Sequence, residues 1–176
     1  MAISVRAATA GDLAAISAIY AHHVLHGTAS FELAAPDGED MRRRWRDAVE
    51  RGLPYMVATL TPDDGTIAGY AYASPYRARP AYRYTVEDSV YVAAACAGRG
   101  AGRALLAAVI AACEPLGYRQ MVAVIGGSDN AASIALHTAL GFERAGCLAA
   151  VGRKFDRWVD TVLMQRALGP GAAAPP

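Results

Sequence analysis

The sequence predicts a single mixed α/β domain: a central sheet of about seven strands flanked by about four helices. Three observations carry that expectation. Segments with helical spacing alternate with short β-branched and aromatic runs along the 176 residues, a length that suits one domain with a substantial core. Ser89-Val90-Tyr91-Val92 ends a strand, and Gly98, Gly100 and Gly102 lead from it into an Ala/Leu/Val/Ile helix. Met121 to Ile125 is a continuous apolar run that suits a strand buried on both faces.

Taken in order, Ile3 to Arg6 alternates as an opening strand. Thr9-Ala10-Gly11-Asp12 is a variant capping box before a helix striped by Leu13, Ile16, Ile19, Tyr20 and Val24 and stopped near Gly27. Its His22 and His26 stand i,i+4, but no third ligand accompanies them, so a solvated helix end is the better reading than a metal pair. Pro36-Asp37-Gly38 breaks the chain ahead of an amphipathic helix, Glu39 to Val49, around Met41, Trp45 and Val49. Tyr55 to Leu60 and Ile67 to Tyr72 form a hairpin through Pro62-Asp63-Asp64-Gly65, followed by a polar loop from Ser74 to Ala81.

The long central strand is expected over Tyr82 to Val92 and the helix after it over Gly98 to Cys113. Leu116-Gly117-Tyr118 turns into the apolar strand, and a further helix runs from Ala131 to Leu140, closed by Gly141. Two more strands are expected near Leu148 to Val151 and Trp158 to Met164. Residues 1–168 are read as the domain, and 169–176, rich in Gly, Ala and Pro, as a frayed tail.

Charge and cysteine usage narrow the function. A net charge of +1 argues against a nucleic-acid surface or a polybasic membrane patch. Cys96, Cys113 and Cys147 are odd in number and lack C-x-x-C spacing, which points to a reducing compartment and no structural zinc. Without a signal-like or long apolar segment, a soluble cytoplasmic protein is expected.

The glycine turn is the strongest chemical signal. A strand, a glycine turn and a helix N-terminus form a phosphate cradle, because glycine lets the backbone approach and the first helical amides lack intrahelical partners; a turn that only packs helix on sheet is the alternative. Arg103 adds a charge-assisted contact. The spacing G-x-G-x-G is neither a dinucleotide fingerprint nor a P-loop. In the strand before it, Glu87 shares a face with Ser89 and Tyr91, opposite Val86, Val90 and Val92. A carboxylate there suits a general base, with a solvated glutamate or a salt bridge to Arg83 as the alternative; Asp88 points to the other face and is a weaker candidate.

The glycine turn resembles the acetyl-CoA motif of the GNAT family of N-acetyltransferases, with Ala97 standing where that motif has Gln or Arg. The cradle then relies on backbone amides and on Arg99 or Arg103. The likeness runs from about Ile3 to Leu168. It is carried by Gly69 to Ala73, Tyr76 to Arg79, Tyr82, Thr85 to Val92, Val122 to Gly126, Asn130 with Ser133, Leu136-His137 and Ala139 to Phe142. Within the family it is nearest the branch acting on phosphinothricin, methionine sulfoximine and methionine sulfone.

The resemblance implies acetyl-CoA as co-substrate and direct acetyl transfer to an amine. Glu87 is then the general base, and His137 a second residue that relays a proton, bonds the cofactor or packs. The cofactor set is Val90, Tyr91, Val92, Gly98, Arg99, Gly100, Ala101, Gly102, Arg103, Asn130 and Ser133, with Val90 and Val92 acting through their backbones. The substrate set is Phe31, Arg77, Arg79, Tyr82, Thr85 and Glu87. Arginine forks among tyrosines suit an acidic amino-acid-like substrate, although Tyr76-Arg77 replaces the Trp-Lys often found in the branch. A homodimer is also implied. Peptide or protein amine acetylation and a catalytically inactive CoA-binding module are the alternatives.

Overall fold

The computed structural model describes residues 3–60 and 65–175. Along it run β1 (Ser4–Ala7), α1 (Leu13–His26), α2 (Gly38–Glu50), β2 (Tyr55–Thr59), β3 (Ile67–Pro75), β4 (Thr85–Val92), α3 (Ala101–Cys113), β5 (Gln120–Gly126), α4 (Ala131–Ala139), β6 (Glu143–Lys154) and β7 (Arg157–Ala167). The strands form one sheet in the order β1-β2-β3-β4-β5-β7-β6. Only β4 and β5 pair in parallel, joined by the α3 crossover; the other neighbours are antiparallel.

Local chemistry starts the helices where the sequence places them. Asp12 accepts from the Thr9 amide at 2.7 Å and from Arg6 at 2.7 and 2.8 Å, so the capping box also ties β1 to the entry of α1. At α2, Asp37 accepts from the Asp40 amide at 2.8 Å. Helices α1 and α2 cover one face of the sheet, where the Tyr91 ring packs 5.0 Å from Tyr20 and 5.4 Å from His23. Helices α3 and α4 cover the other, and Leu105, Leu106 and Val109 of α3 are fully buried there. Gly69 permits this contact, since an added Cβ would lie 2.7 Å from the Tyr91 carbonyl and 3.2 Å from Leu105.

Several boundaries differ from expectation. Strand β4 begins at Thr85, because Pro80 fixes a tight turn in which the Tyr82 amide bonds Arg79 and the Arg83 amide bonds Pro80. Tyr82 is therefore a turn residue. Helix α3 begins at Ala101, since Gly98 and Gly100 take left-handed φ values of 73° and 88° that no helix contains. Strands β6 and β7 are far longer than their apolar patches suggested; their hairpin closes at Phe155 and Asp156, with φ of 50° and 57°. Along β6 nearly every side chain is exposed or half-buried, so no apolar run announced it. The proposed Pro62–Asp64 part of the first hairpin turn lies outside the described residues. Beyond β7, Leu168 is fully buried, and the described part of the expected tail, residues 169–175, forms turns and receives an Arg119 hydrogen bond at Pro175.

Strand β5 corrects the expectation of burial on both faces. It pairs with β4 only over Gln120–Ala123, opposite Thr85–Asp88; beyond that, β4 stays on β3 and β5 on β7. The strands part into a wedge, and Val124, at its start, is 40% exposed.

Candidate active site

The wedge is where the sheet offers unpaired backbone. The Ala93 amide bonds Ala68 of β3. By strand alternation the backbone groups of Tyr91 also face β3, whereas those of Val90 and Val92 face the wedge. Tyr91, expected as a cofactor residue, sends its ring to the α1 side, and the residue also borders the wedge. The Val92 carbonyl accepts from His23 Nε2 of α1 at 2.9 Å, a tie that nothing in the local sequence signalled.

Gly98 to Arg103 lie at the end of β4. The first intrahelical bond of α3 runs from the Ala104 amide to the Gly100 carbonyl, which leaves the amides of Ala101, Gly102 and Arg103 free of helical partners at the N-terminus. Arg99 and Arg103 are exposed beside them. At Gly102 an added Cβ would sit 3.4 Å from both Leu136 and Val92, so α3 packs close to α4 and β4 here. Asn130 caps α4 by accepting from the Ser133 amide at 3.2 Å, and both residues line the wedge.

Next to the wedge, on the α1 face, lies a cavity of about 290 Å³ walled by Phe31, Tyr72, Glu87, Ser89, Tyr91 and Val124 among others. Glu87 has no hydrogen-bond or ion-pair partner among the described residues. Burial raises its proton affinity, Asp88 adds to the effect, Arg77 opposes it, and the carboxyl titrates at about 7. The alternative salt bridge to Arg83 does not form: that guanidinium lies over the Tyr84 ring at 4.5 Å. Of the other substrate residues, Arg77, Arg79 and Tyr82 are exposed and Thr85 half-buried, all outside the cavity wall. Arg77 lies over the Tyr76 ring at 5.0 Å.

His137 is buried in the last turn of α4. Its Nδ1 lies 2.7 Å from the Ser133 carbonyl and its Nε2 3.0 Å from Asp88 Oδ2. A carbonyl and a carboxylate only accept, so both ring nitrogens donate and the ring is an imidazolium paired with Asp88. Burial pushes its proton affinity down, but the hydrogen bond and charge of Asp88 prevail and hold it above the ordinary histidine value. Asp88, ranked below Glu87 from the sequence, is thus the anchor of α4 on β4. The signal was available: a carboxylate between Val86 and Val90 on an apolar strand face has to find a buried partner. Among the described residues no group of three or more metal-ligating side chains gathers.

The sheet is antiparallel but for one pair and opens between β4 and β5 above a glycine-turned helix N-terminus, which places the chain in a mixed α/β class with an anion-binding turn at the sheet's opening. A family model described as acetyltransferase (GNAT) family matches residues 21–142. The chain is 54% identical over 170 residues to a phosphinothricin N-acetyltransferase of Alcaligenes faecalis, covering 97% of this chain and 85% of that protein. It is 41% identical to an L-methionine sulfoximine/L-methionine sulfone acetyltransferase of Salmonella typhimurium, covering 97% and 98%. The crystal structure of a phosphinothricin acetyltransferase from Sinorhizobium meliloti in complex with AcCoA superposes with a TM-score of 0.95 at 46% identity, over 100% of this chain and 94% of that one. The chain belongs to the GNAT acetyltransferase family.

Proposed function

We propose that the protein acetylates the amino group of a small amino-acid-like substrate of the phosphinothricin or methionine sulfone type, using acetyl-CoA and Glu87 as general base. The observation that carries this reading is a half-buried, unpartnered carboxylate titrating at about 7 beside the wedge. The residues present fit acetyl-CoA: the free amides of Ala101, Gly102 and Arg103, with Arg99 and Arg103, suit its diphosphate, and the backbones of Val90 and Val92 suit its amide-bearing arm. When bound, acetyl-CoA supplies the acetyl thioester.

The chain's own part is proton handling and placement. Glu87 takes a proton from the incoming ammonium, directly or through a water, since near pH 7 about half of it is ionised. Phe31, Tyr72 and Tyr91 exclude water from the cavity, and Arg77 or Arg79, exposed outside its wall, meets the substrate's acidic group. His137, having given both N–H groups to internal acceptors, has no lone pair for the amine; its role is to keep α4 and the wedge in place. Transfer is direct. Cys96 and Cys113 are buried, and burial pushes the Cys113 thiol up to about 12. Cys147 lies on β6.

Free cysteines accord with a reducing cytoplasm. The exposed Leu148, Val151, Phe155 and Trp158 on the β6–β7 hairpin accord with a homodimer. The deciding experiment is CoA release from acetyl-CoA with phosphinothricin, methionine sulfoximine, methionine sulfone and ordinary amino acids. Turnover with one of the first three supports the reading. Turnover only with peptide amines, or none with any amine despite acetyl-CoA binding, replaces it.

A further inference from the structure

We propose that Lys154 is a positioning residue of the substrate cavity: with Gly152 it fixes the Thr28–Glu32 segment, places the Phe31 wall and so sets the length of substrate side chain admitted. The inference rests on the amino-acid reading above and adds a determinant that lies outside the cavity wall.

The segment carries no helix or strand of its own, so its position depends on what grips it. Lys154, at the end of β6, is only 4% exposed and donates from Nζ to the Ser30 carbonyl at 2.6 Å. A dehydrated ammonium is a costly choice for a site that an apolar residue could fill. The burial pushes its proton affinity down, with Glu32 opposing. From the other side, the Ser30 hydroxyl lies 2.9 Å from the Tyr20 hydroxyl. The Tyr20 hydroxyl also donates to Glu32 at 3.0 Å, and Arg44 donates to Glu32 at 2.6 Å. Ser30 is therefore held at its carbonyl from β6 and at its side chain from α1.

Phe31, between these grips, lies against backbone on both sides of β7. A Cβ added to Gly152 would fall 2.2 Å from Phe31 Cε2, and one added to Gly126 would fall 2.9 Å from Cε1 and 2.0 Å from the Thr28 carbonyl. Strand β6 reaches this place through an irregularity between Leu148 and Gly152. The Ala150 amide donates to Asp160 Oδ1 at 2.8 Å, and Ser128, in the loop after β5, donates to Asp160 Oδ2 at 2.6 Å. One carboxylate thus joins the bulge of β6 to the loop that borders the cavity. The ring contact, the ammonium and the bulge all hold one wall.

The test compares wild type with Lys154→Met, which keeps the apolar stem, and Lys154→Arg, which restores a donor. With methionine sulfone, Lys154→Met should raise KM about tenfold, the order expected for losing one charge-assisted hydrogen bond, with kcat within about threefold. Acetyl-CoA affinity by calorimetry should stay within about twofold, and Lys154→Arg should recover most of the KM. Amide exchange over residues 28–32 should speed up by about tenfold in Lys154→Met without substrate. Unchanged KM and exchange overturn the proposal, as does a rise in KM joined by falls in kcat and cofactor affinity that arginine does not rescue. If Lys154→Met does not fold, Gly152→Ala decides: its Cβ displaces Phe31, and the kcat/KM ratio of methionine sulfone to 2-aminobutyrate should change by about fivefold or more. An unchanged ratio overturns the proposal. If wild type turns over no amino acid, the functional reading fails and the exchange measurement alone decides the role of Lys154.

Discussion

His137 donates from both ring nitrogens, to Asp88 Oδ2 at 3.0 Å and to the Ser133 carbonyl at 2.7 Å, and so sits in the core as a cation paired with a buried carboxylate. Removing the cation leaves that carboxylate without a counter-charge, and Oδ1 already has no partner. His137→Ala should cost about 3–5 kcal/mol at neutral pH by urea denaturation. The pair also has a pH signature. A histidine held above its ordinary 6.5 contributes stability that is complete below that value and is lost as pH rises through the raised one. The stability gap between wild type and Asp88→Asn should therefore narrow as pH rises above the ordinary histidine value of 6.5.

Glu87 should govern the pH–rate profile. With its carboxyl at about 7, kcat/KM should climb with pH through that value. Glu87→Gln should abolish this limb and lose about 10²–10⁴-fold in rate at neutral pH, with acetyl-CoA binding intact. The loss should shrink at alkaline pH as the amine deprotonates unaided. Because the Asp88 charge helps to raise Glu87, Asp88→Asn should move the limb to lower pH. Steady-state kinetics across pH checks both, and a Glu87→Gln enzyme as fast as wild type removes Glu87 from the mechanism.

The same raised value carries a stability consequence. A carboxyl whose folded value exceeds its ordinary 4.5 destabilises the fold once pH passes 4.5, in full above about 7. Glu87→Gln should thus be at least as stable as wild type at pH 8, measured by thermal denaturation, even though it is slower. A lower Tm would show that Glu87 holds the fold through contacts rather than straining it.

Gly100→Val should weaken acetyl-CoA binding by about tenfold or more. At φ of 88° a β-branched residue is strained, and its Cβ would come 3.2 Å from Ile3. The backbone would then shift just before the free amides of α3. Calorimetry reads the effect, and unchanged affinity would remove this turn from the cofactor site.

Arg77→Ala should lower kcat/KM for an acidic amino-acid substrate by roughly 10- to 150-fold, the range for one charge-assisted hydrogen bond, with acetyl-CoA affinity unchanged. Arg77 also draws Glu87 downward, so the same variant should shift the pH limb upward. Wild-type efficiency in both Arg77→Ala and Arg79→Ala would leave the loop merely solvated.

By itself the sequence determined the local events. Thr9 and Asp12 form the cap they spell, Asp37 starts α2, and the glycines at 98 and 100 take the left-handed turns that bring α3 off β4. Strand alternation put Glu87, Ser89 and Tyr91 on one face, and the cavity lies there. These features are legible because each depends on residues within one turn or one strand of each other.

Only the tertiary structure decided the rest. The wedge exists because β4 and β5 pair for four residues and then follow different neighbours, which no window of sequence records. The partnership of Asp88 with His137 spans 49 residues, that of His23 with Val92 spans 69, and that of Lys154 with Ser30 spans 124. The proton affinity of Glu87 depends on the same assembly, since burial is its largest cause and burial is made by elements from the whole chain. Composition and periodicity name the groups that must be satisfied; the packing of distant elements chooses their partners.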